Sequence, residues 1–389
     1  MYDFKTMVDR TGLSSAKVHA KTIKKYFNLD YNEDTISLWV SEMDYVMSPE
    51  IKEALTSRIS KGILGYTSSD SRYFGSVINW LKSRFDTEID KNWIVYSHGT
   101  VPAIRNVLRI FTKENDRVII QPPVYGQFKG VITETNRKVA NNSLIKTETG
   151  YRIDFGSFEE LAKQDDVKMF ILCNPHNPIG EVWERDDLIR LLDISKKYGL
   201  VVFADEVHAE IVREIEFTTT AKLRYDNVIT ALALSKAFNI TGLHITHLII
   251  PGESIRERYN KYIGFTSISP LAMEATIASY NEAGNWLDEV NDEISSNFKF
   301  MNDFIVERIP RLKFNVPRGT YLAWLDFSDY KIQTQKLMER FASEASLVLE
   351  SGLMFGKEGK SHARMTIATP RDVLKEVLIR MERFLKDIE

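Results

Sequence analysis

Four short stretches set a reactive side chain just past an apolar run. Ser235-Lys236-Ala237-Phe238-Asn239 follows the run Asn227–Leu234. Most lysines solubilise a surface. One beside a desolvated strand end has its pKa lowered and can act as nucleophile or base. Asp205-Glu206-Val207-His208 closes the run Leu200–Ala204. A carboxylate there is costly unless paired, and alone it reads equally well as a solvated strand end. Adjacent carboxylates point apart on a strand, which disfavours a metal site built from Asp205, Glu206 and His208. Asn174-Pro175-His176-Asn177-Pro178-Ile179-Gly180 follows Lys168–Cys173. Its prolines fix φ and push their predecessors towards extended geometry, and one X-Pro bond can be cis. By itself it is a constrained turn. Ser97-His98-Gly99-Thr100-Val101-Pro102-Ala103 precedes a helical stretch. Glycine admits close backbone approach and helix N-terminal amides attract phosphate, although glycine turns before helices are common. A phosphate cradle, an asparagine, an aspartate and a lysine therefore follow in order. The spacing is 28 residues from Asn177 to Asp205 and 31 from Asp205 to Lys236. Each gap accommodates one helix and one strand.

The elements that must position these groups can be read from the same region. Arg117–Gln121, Lys168–Asn174, Leu200–Glu206 and Asn227–Leu234 read as strands, three of them nearly continuous in apolar residues, as in a parallel sheet covered on both faces. Arg185–Tyr198 carries Leu188, Leu191, Leu192 and Ile194 at helical spacing, and Gly199 stops it. Strand, helix, strand predicts an α/β layer, with ligands at the carboxyl ends of its strands. The last third differs. A helix near 286–309 precedes Lys313–Phe327, which reads as strand–turn–strand around Pro317-Arg318-Gly319. Two helical stretches follow, with a strand-like run Arg364–Ala368 between them. The predicted division is a large α/β domain over 50–285 and a smaller α+β domain from 1–49 and 286–389.

Bulk properties narrow the function classes. The chain has 389 residues, more than one core usually serves, which makes two domains the expectation. The formal net charge of -3 gives no basic excess for nucleic acid. One cysteine, Cys173, excludes an internal disulfide and reads as a small buried hydrophobe. No apolar signal core or membrane-length stretch occurs, so the expectation is a soluble, cytoplasmic protein.

These motifs together resemble fold-type I pyridoxal-phosphate (PLP) enzymes of the class I/II aminotransferase superfamily. More narrowly, the chain is similar to the cystathionine β-lyase (C–S lyase) branch, the MalY/PatB group. Leu38–Asp44, Gly65-Tyr66-Thr67, Gln121–Tyr125, Cys173–Gly180, Ser235–Asn239 and Gly319–Phe327 carry the likeness, which spans nearly the whole chain. The resemblance implies a mostly parallel seven-stranded sheet in the large domain and PLP as cofactor. It implies that Lys236 holds the cofactor and moves the α-proton, and that Asp205 pairs with the ring nitrogen. Asn177 and His208 would meet the ring hydroxyl edge, and Tyr125 would stack on the ring. Gly99, Thr100 and Val101, with Ser235, would bind the phosphate. Tyr66 would reach the neighbouring subunit's phosphate, which makes the protein a homodimer. Arg364 would clamp the substrate carboxylate by a two-pronged hydrogen bond, with Ser41 beside the pocket.

Three departures bear on function. Aminotransferases usually carry a phosphate-binding arginine where this chain has His244, an absence shared with the lyase branch. The branch usually has Ala-Asp where Ser41-Glu42 stands, and Glu where Arg318 stands, which bears on substrate choice. His244 and His247 are expected to be packed histidines with satisfied ring nitrogens rather than a metal pair. The implied reaction is C–S β-elimination on cystathionine or cysteine-type amino acids; aminotransfer is the alternative. A binding module derived from such an enzyme would be expected to have lost Lys236 or Asp205.

Overall fold

The computed structural model describes residues 2–27 and 34–388. Seven strands form the central sheet: β1 (Ile94–Ser97), β2 (Arg117–Ile120), β3 (Lys138–Asn141), β4 (Val167–Cys173), β5 (Val201–Asp205), β6 (Val228–Leu232) and β7 (Thr246–Ile249). Their order is β1-β7-β6-β5-β4-β2-β3. β7 runs antiparallel to both β1 and β6, and the other pairs are parallel. The sheet is thus mostly parallel, as the near-continuous apolar runs predict. Helices α1 (Thr100–Phe111) and α2 (Arg185–Lys197) flank it. α2 buries Leu188, Leu191, Leu192 and Ile194, and its acidic first turn and basic last turn complement the helix dipole. Cross-strand register aligns Cys173 with Asp205 and Asp205 with Ala231. The loops after β4, β5 and β6 therefore leave the sheet side by side.

The C-terminal third contains α3 (Gly284–Arg308), α4 (Thr334–Ala345) and α5 (Arg371–Asp387), with a small antiparallel sheet. Its strands are β8 (Leu322–Asp326), β9 (Glu350–Ser351) and β10 (His362–Thr366), in the order β8-β10-β9. The N-terminal segment joins this part of the chain: Ile36–Ser37 pairs in parallel with Leu347–Val348.

Two expectations need correction. Lys313–Phe327 forms one strand, β8, and a single bridge between Lys313 and Asp326 rather than two arms. Pro317 has no N–H to give a ladder. The carbonyls of Pro317, Gly319 and Thr320 instead accept from the Arg213 guanidinium, and the Gly319 amide donates to the Gly180 carbonyl at 2.8 Å. His247 is packed, but its ring nitrogens are not satisfied: among the described residues neither has a hydrogen-bond partner. Tyr73 and Tyr280 present rings to it, with centroids at 5.6 and 5.9 Å, so burial pushes its pKa down to about 3 and keeps it neutral. Among the described residues no helix is long and apolar enough to cross a membrane.

Candidate active site

A cavity of about 860 Å³ opens at the carboxyl ends of β4, β5 and β6 and extends to Arg364 on β10. Gly99, Thr100, Val101, Tyr125, Asn177, Asp205, His208, Ser235, Lys236, Ser41 and Arg364 all line it. Residues spread over more than 300 positions of sequence thus meet at one place. Tyr66 does not. It is 97% exposed, in a separate groove with Leu64, His98 and Phe265.

Lys236 stands on the one-turn helix Leu234–Ala237, directly after β6. Its Nζ donates to the Ser41 carbonyl at 2.8 Å. Burial, then the charge of Arg364, lowers its pKa to about 8. Asp205 ends β5 and is buried. Its Oδ1 accepts the Val207 amide at 3.3 Å, yet burial lifts its pKa to about 7. That is the state of a carboxylate short of a positive partner. Glu206, next in sequence, points away: it accepts from Thr219 Oγ1 at 2.5 Å and from the Thr220 amide and hydroxyl at 2.7 Å. The two carboxylates diverge, as their adjacency requires.

The Asn174–Gly180 turn holds Asn177 at the cavity wall. Asn174–Pro175 and Asn177–Pro178 are both cis, as is Pro122–Pro123 ahead of Tyr125. His176 Nε2 lies 3.0 Å from the Pro123 carbonyl, and the Gly180 amide donates to His176 O at 2.7 Å. A Cβ on Gly180 would lie 2.2 Å from Pro317 Cβ, so this turn and the loop before β8 pack too tightly for any larger residue. Asn177 Oδ1 accepts from Arg364 Nη1 at 2.9 Å. His208 is buried, edge-on to Tyr321 at 5.8 Å. Among the described residues its Nδ1 has no partner. Burial and the charges of Lys236 and Arg364 hold its pKa well below the usual value. Tyr125 is pushed up to about 12, mainly by burial, and keeps its proton.

At the far end, Gly99 caps α1 with φ +115°, a left-handed value that disfavours any side chain. Thr100 Oγ1 lies 3.1 Å from Thr246 Oγ1, and Ser235 and His244 border the same end. The departures at 41–42 and 318 resolve differently. Ser41 faces the cavity, its Oγ donating to Tyr321 Oη at 3.3 Å. Glu42 instead ion-pairs with Arg10, which also binds Asp44 at 3.0 Å. Arg318 lies outside the cavity, paired with Glu184 at 2.7 Å, so it does not bear on the pocket as the motif comparison implied.

The model of the aminotransferase class I and II family matches residues 33–381. The chain belongs to this family. It is 32% identical to cystathionine β-lyase PatB of Bacillus subtilis over 355 residues, 88% of this chain and 92% of that protein. Its structure matches that of cystalysin from Treponema denticola, which contains a pyridoxal 5'-phosphate cofactor. The TM-score is 0.95 at 33% identity, over 100% of both chains. It also matches the PLP-bound C-S lyase from Staphylococcus hominis, with TM-score 0.91 at 30% identity and 99% of both chains covered.

The site fits the family's cofactor on its own evidence. Asp205 is a buried carboxylate suited to a cationic ring nitrogen. His208 Nδ1 is a buried polar atom without a partner among the described residues. The α1 N-terminus behind Gly99 offers amides to a phosphate.

Two further cavity groups escaped the sequence reading, Glu350, which ion-pairs with Arg364, and Trp39, whose carbonyl accepts from Arg364 Nη2 at 2.9 Å. A third residue, Tyr321, is buried outside the lining and accepts from Ser41. Tyr321 sits inside the Gly319–Phe327 motif, so that motif was its signal. No local pattern marks Glu350.

Proposed function

We propose that this protein is a PLP-dependent carbon–sulfur β-lyase. It acts on cystathionine or cysteine-type amino acids and, with water, yields a thiol, pyruvate and ammonia. The observation that carries this reading is the Lys236 amine, lowered to about 8 in a cavity that also holds Asp205 and Arg364. It sits in a chain related across most of its length to a cystathionine β-lyase.

PLP, when bound, supplies an electron sink for the pair left at the substrate Cα. The protein's residues do the rest. Lys236 would hold the cofactor and, as a free amine, take the substrate Cα proton; its lowered pKa keeps a neutral amine accessible near neutral pH. Asp205 would hold the ring nitrogen in its charged form. Asn177 and His208 would meet the ring's hydroxyl and Tyr125 would stack on the ring. Gly99, Thr100, Val101 and Ser235 would receive the phosphate. Arg364 receives the substrate carboxylate, with Ser41 anchoring Lys236 through its carbonyl. The departing sulfur takes its proton from Tyr125, which stays protonated, or from Lys236, which carries the one removed from Cα. Aminotransfer shares the proton abstraction but needs no leaving group on Cβ. His244, where aminotransferases usually carry arginine, favours elimination.

We further propose a cytoplasmic homodimer in which Tyr66 reaches the partner's phosphate site. The exposed Leu64, Tyr66 and Phe265 beside His98 support this. The division into a large domain over 50–285 and a small one from 1–49 and 286–389 is proposed on the same footing. The experiment is to incubate PLP-loaded protein with L-cystathionine, without any keto acid, and follow pyruvate. Substrate-dependent pyruvate is the expected result. No pyruvate from cystathionine or L-cysteine, but transfer to an added keto acid, would make the protein an aminotransferase.

A further inference from the structure

Arg364 is 3% exposed and already engaged. Nη1 donates to Asn177 Oδ1 at 2.9 Å, Nη2 donates to Trp39 O at 2.9 Å, and Nη2 also ion-pairs with Glu350. Register makes the pair: Glu350 on β9 lies directly opposite Arg364 on β10. Glu350 lines the same cavity as Lys236 and Asp205, and its side chain is 15% exposed. Among the described residues lining that cavity, Arg364 is the one guanidinium. Its Nε has no hydrogen-bond partner among the described residues.

A substrate carboxylate arriving at Arg364 therefore meets another carboxylate already there. Two buried carboxylates cannot both keep their charge on one guanidinium without a large penalty. One must leave or be neutralised.

We propose that Glu350 is a latch and a specificity-determining residue: its carboxylate stands in for the substrate's on Arg364 and yields that position on binding. Glu350 thereby sets the affinity for amines that carry a carboxylate and leaves other amines untouched. The latch rests on the lyase reading in one respect, the assignment of Arg364 to the substrate carboxylate.

The test compares L-alanine, which has no leaving group on Cβ, with ethylamine, its decarboxylated counterpart. Each is titrated into the PLP-loaded holoenzyme and read from the cofactor's absorbance. In Glu350→Gln the preference for L-alanine over ethylamine should rise about tenfold, as when a competitor holding about nine-tenths of the sites is removed. The change should come from L-alanine alone. Glu350→Ala must move the preference in the same direction, which covers a fault in either variant's packing. An unchanged or reduced preference in both variants overturns the latch, since a residue that merely orients Arg364 would weaken L-alanine when removed. Failure of the lyase reading shows elsewhere, as wild-type protein that binds L-alanine yet releases no pyruvate from cystathionine.

Discussion

Replacing Lys236 by methionine should stabilise the cofactor-free protein while destroying its activity. At pH 7 the native state must carry the Lys236 charge in a site that lowers its pKa from 10.5 to about 8. Each pKa unit is worth about 1.4 kcal/mol, so the buried charge costs about 3 kcal/mol. Methionine has similar length and no charge. It forfeits the bond to the Ser41 carbonyl, worth about 1 kcal/mol, which leaves a net gain of about 2 kcal/mol. The pH dependence carries the sign. The folded pKa lies below the unfolded one, so the penalty is complete below about 8. As pH rises from about 8 to 10.5, the native state has released a proton that the unfolded chain still binds, and wild-type stability climbs. Lys236→Met lacks that climb, so its advantage is lost before pH 10.5, where wild type is ahead by the bond to the Ser41 carbonyl, about 1 kcal/mol at most. The assay is urea unfolding of both cofactor-free proteins between pH 7 and 10.5. A variant no more stable than wild type at pH 7, or one still clearly more stable at pH 10.5, would refute the reasoning.

Other consequences follow from the same geometry. Asp205→Asn keeps the shape of the strand end but removes the charge proposed to face the ring nitrogen. Pyruvate release, followed as kcat, should fall about a hundredfold, the scale of losing one preorganised electrostatic partner. Gly99→Ala puts a side chain at φ +115°, a strain of about 1–3 kcal/mol, and should weaken PLP binding at least tenfold in a fluorescence titration. Joint Leu64→Asp and Phe265→Asp changes place charges on an exposed apolar surface. On the proposed assembly they should shift the protein from dimer to monomer in light scattering and lower PLP affinity with it, because the proposed Tyr66 contact to the partner's phosphate site is lost.

The parts of the site that sequence reveals are those made by local rules. Asn177, Asp205 and Lys236 each follow a strand whose apolar run is unmistakable, and parallel neighbours bring those ends together without further information. Gly99 joins them only in company: a glycine turn before a helix is common, and its place in order with the other three motifs is what marks it. Strand ends came out within one or two residues, since the pattern specifies burial and hydrogen bonding sets the terminus. The failures come where a distant partner overrides local preference. The turn expected at Pro317-Arg318-Gly319 gives the carbonyls of Pro317 and Gly319, with that of Thr320, to Arg213, which lies over a hundred residues away in sequence. His247 sits in a strand that pairs antiparallel on both sides, against two tyrosine rings that no spacing rule connects to it.

Glu350 is the sharpest case of this division. The sequence around it carries no strand signal of its own, and the residue type alone suggests a solvated face. Only the register between two short strands sets it against Arg364. On the proposed reading the site receives a substrate carboxylate, which makes a second carboxylate there costly, and strand pairing does not require it: β9 and β10 pair through their backbones whatever side chain stands at 350. An expensive contact that the architecture does not demand is most simply read as part of how the site chooses what it binds.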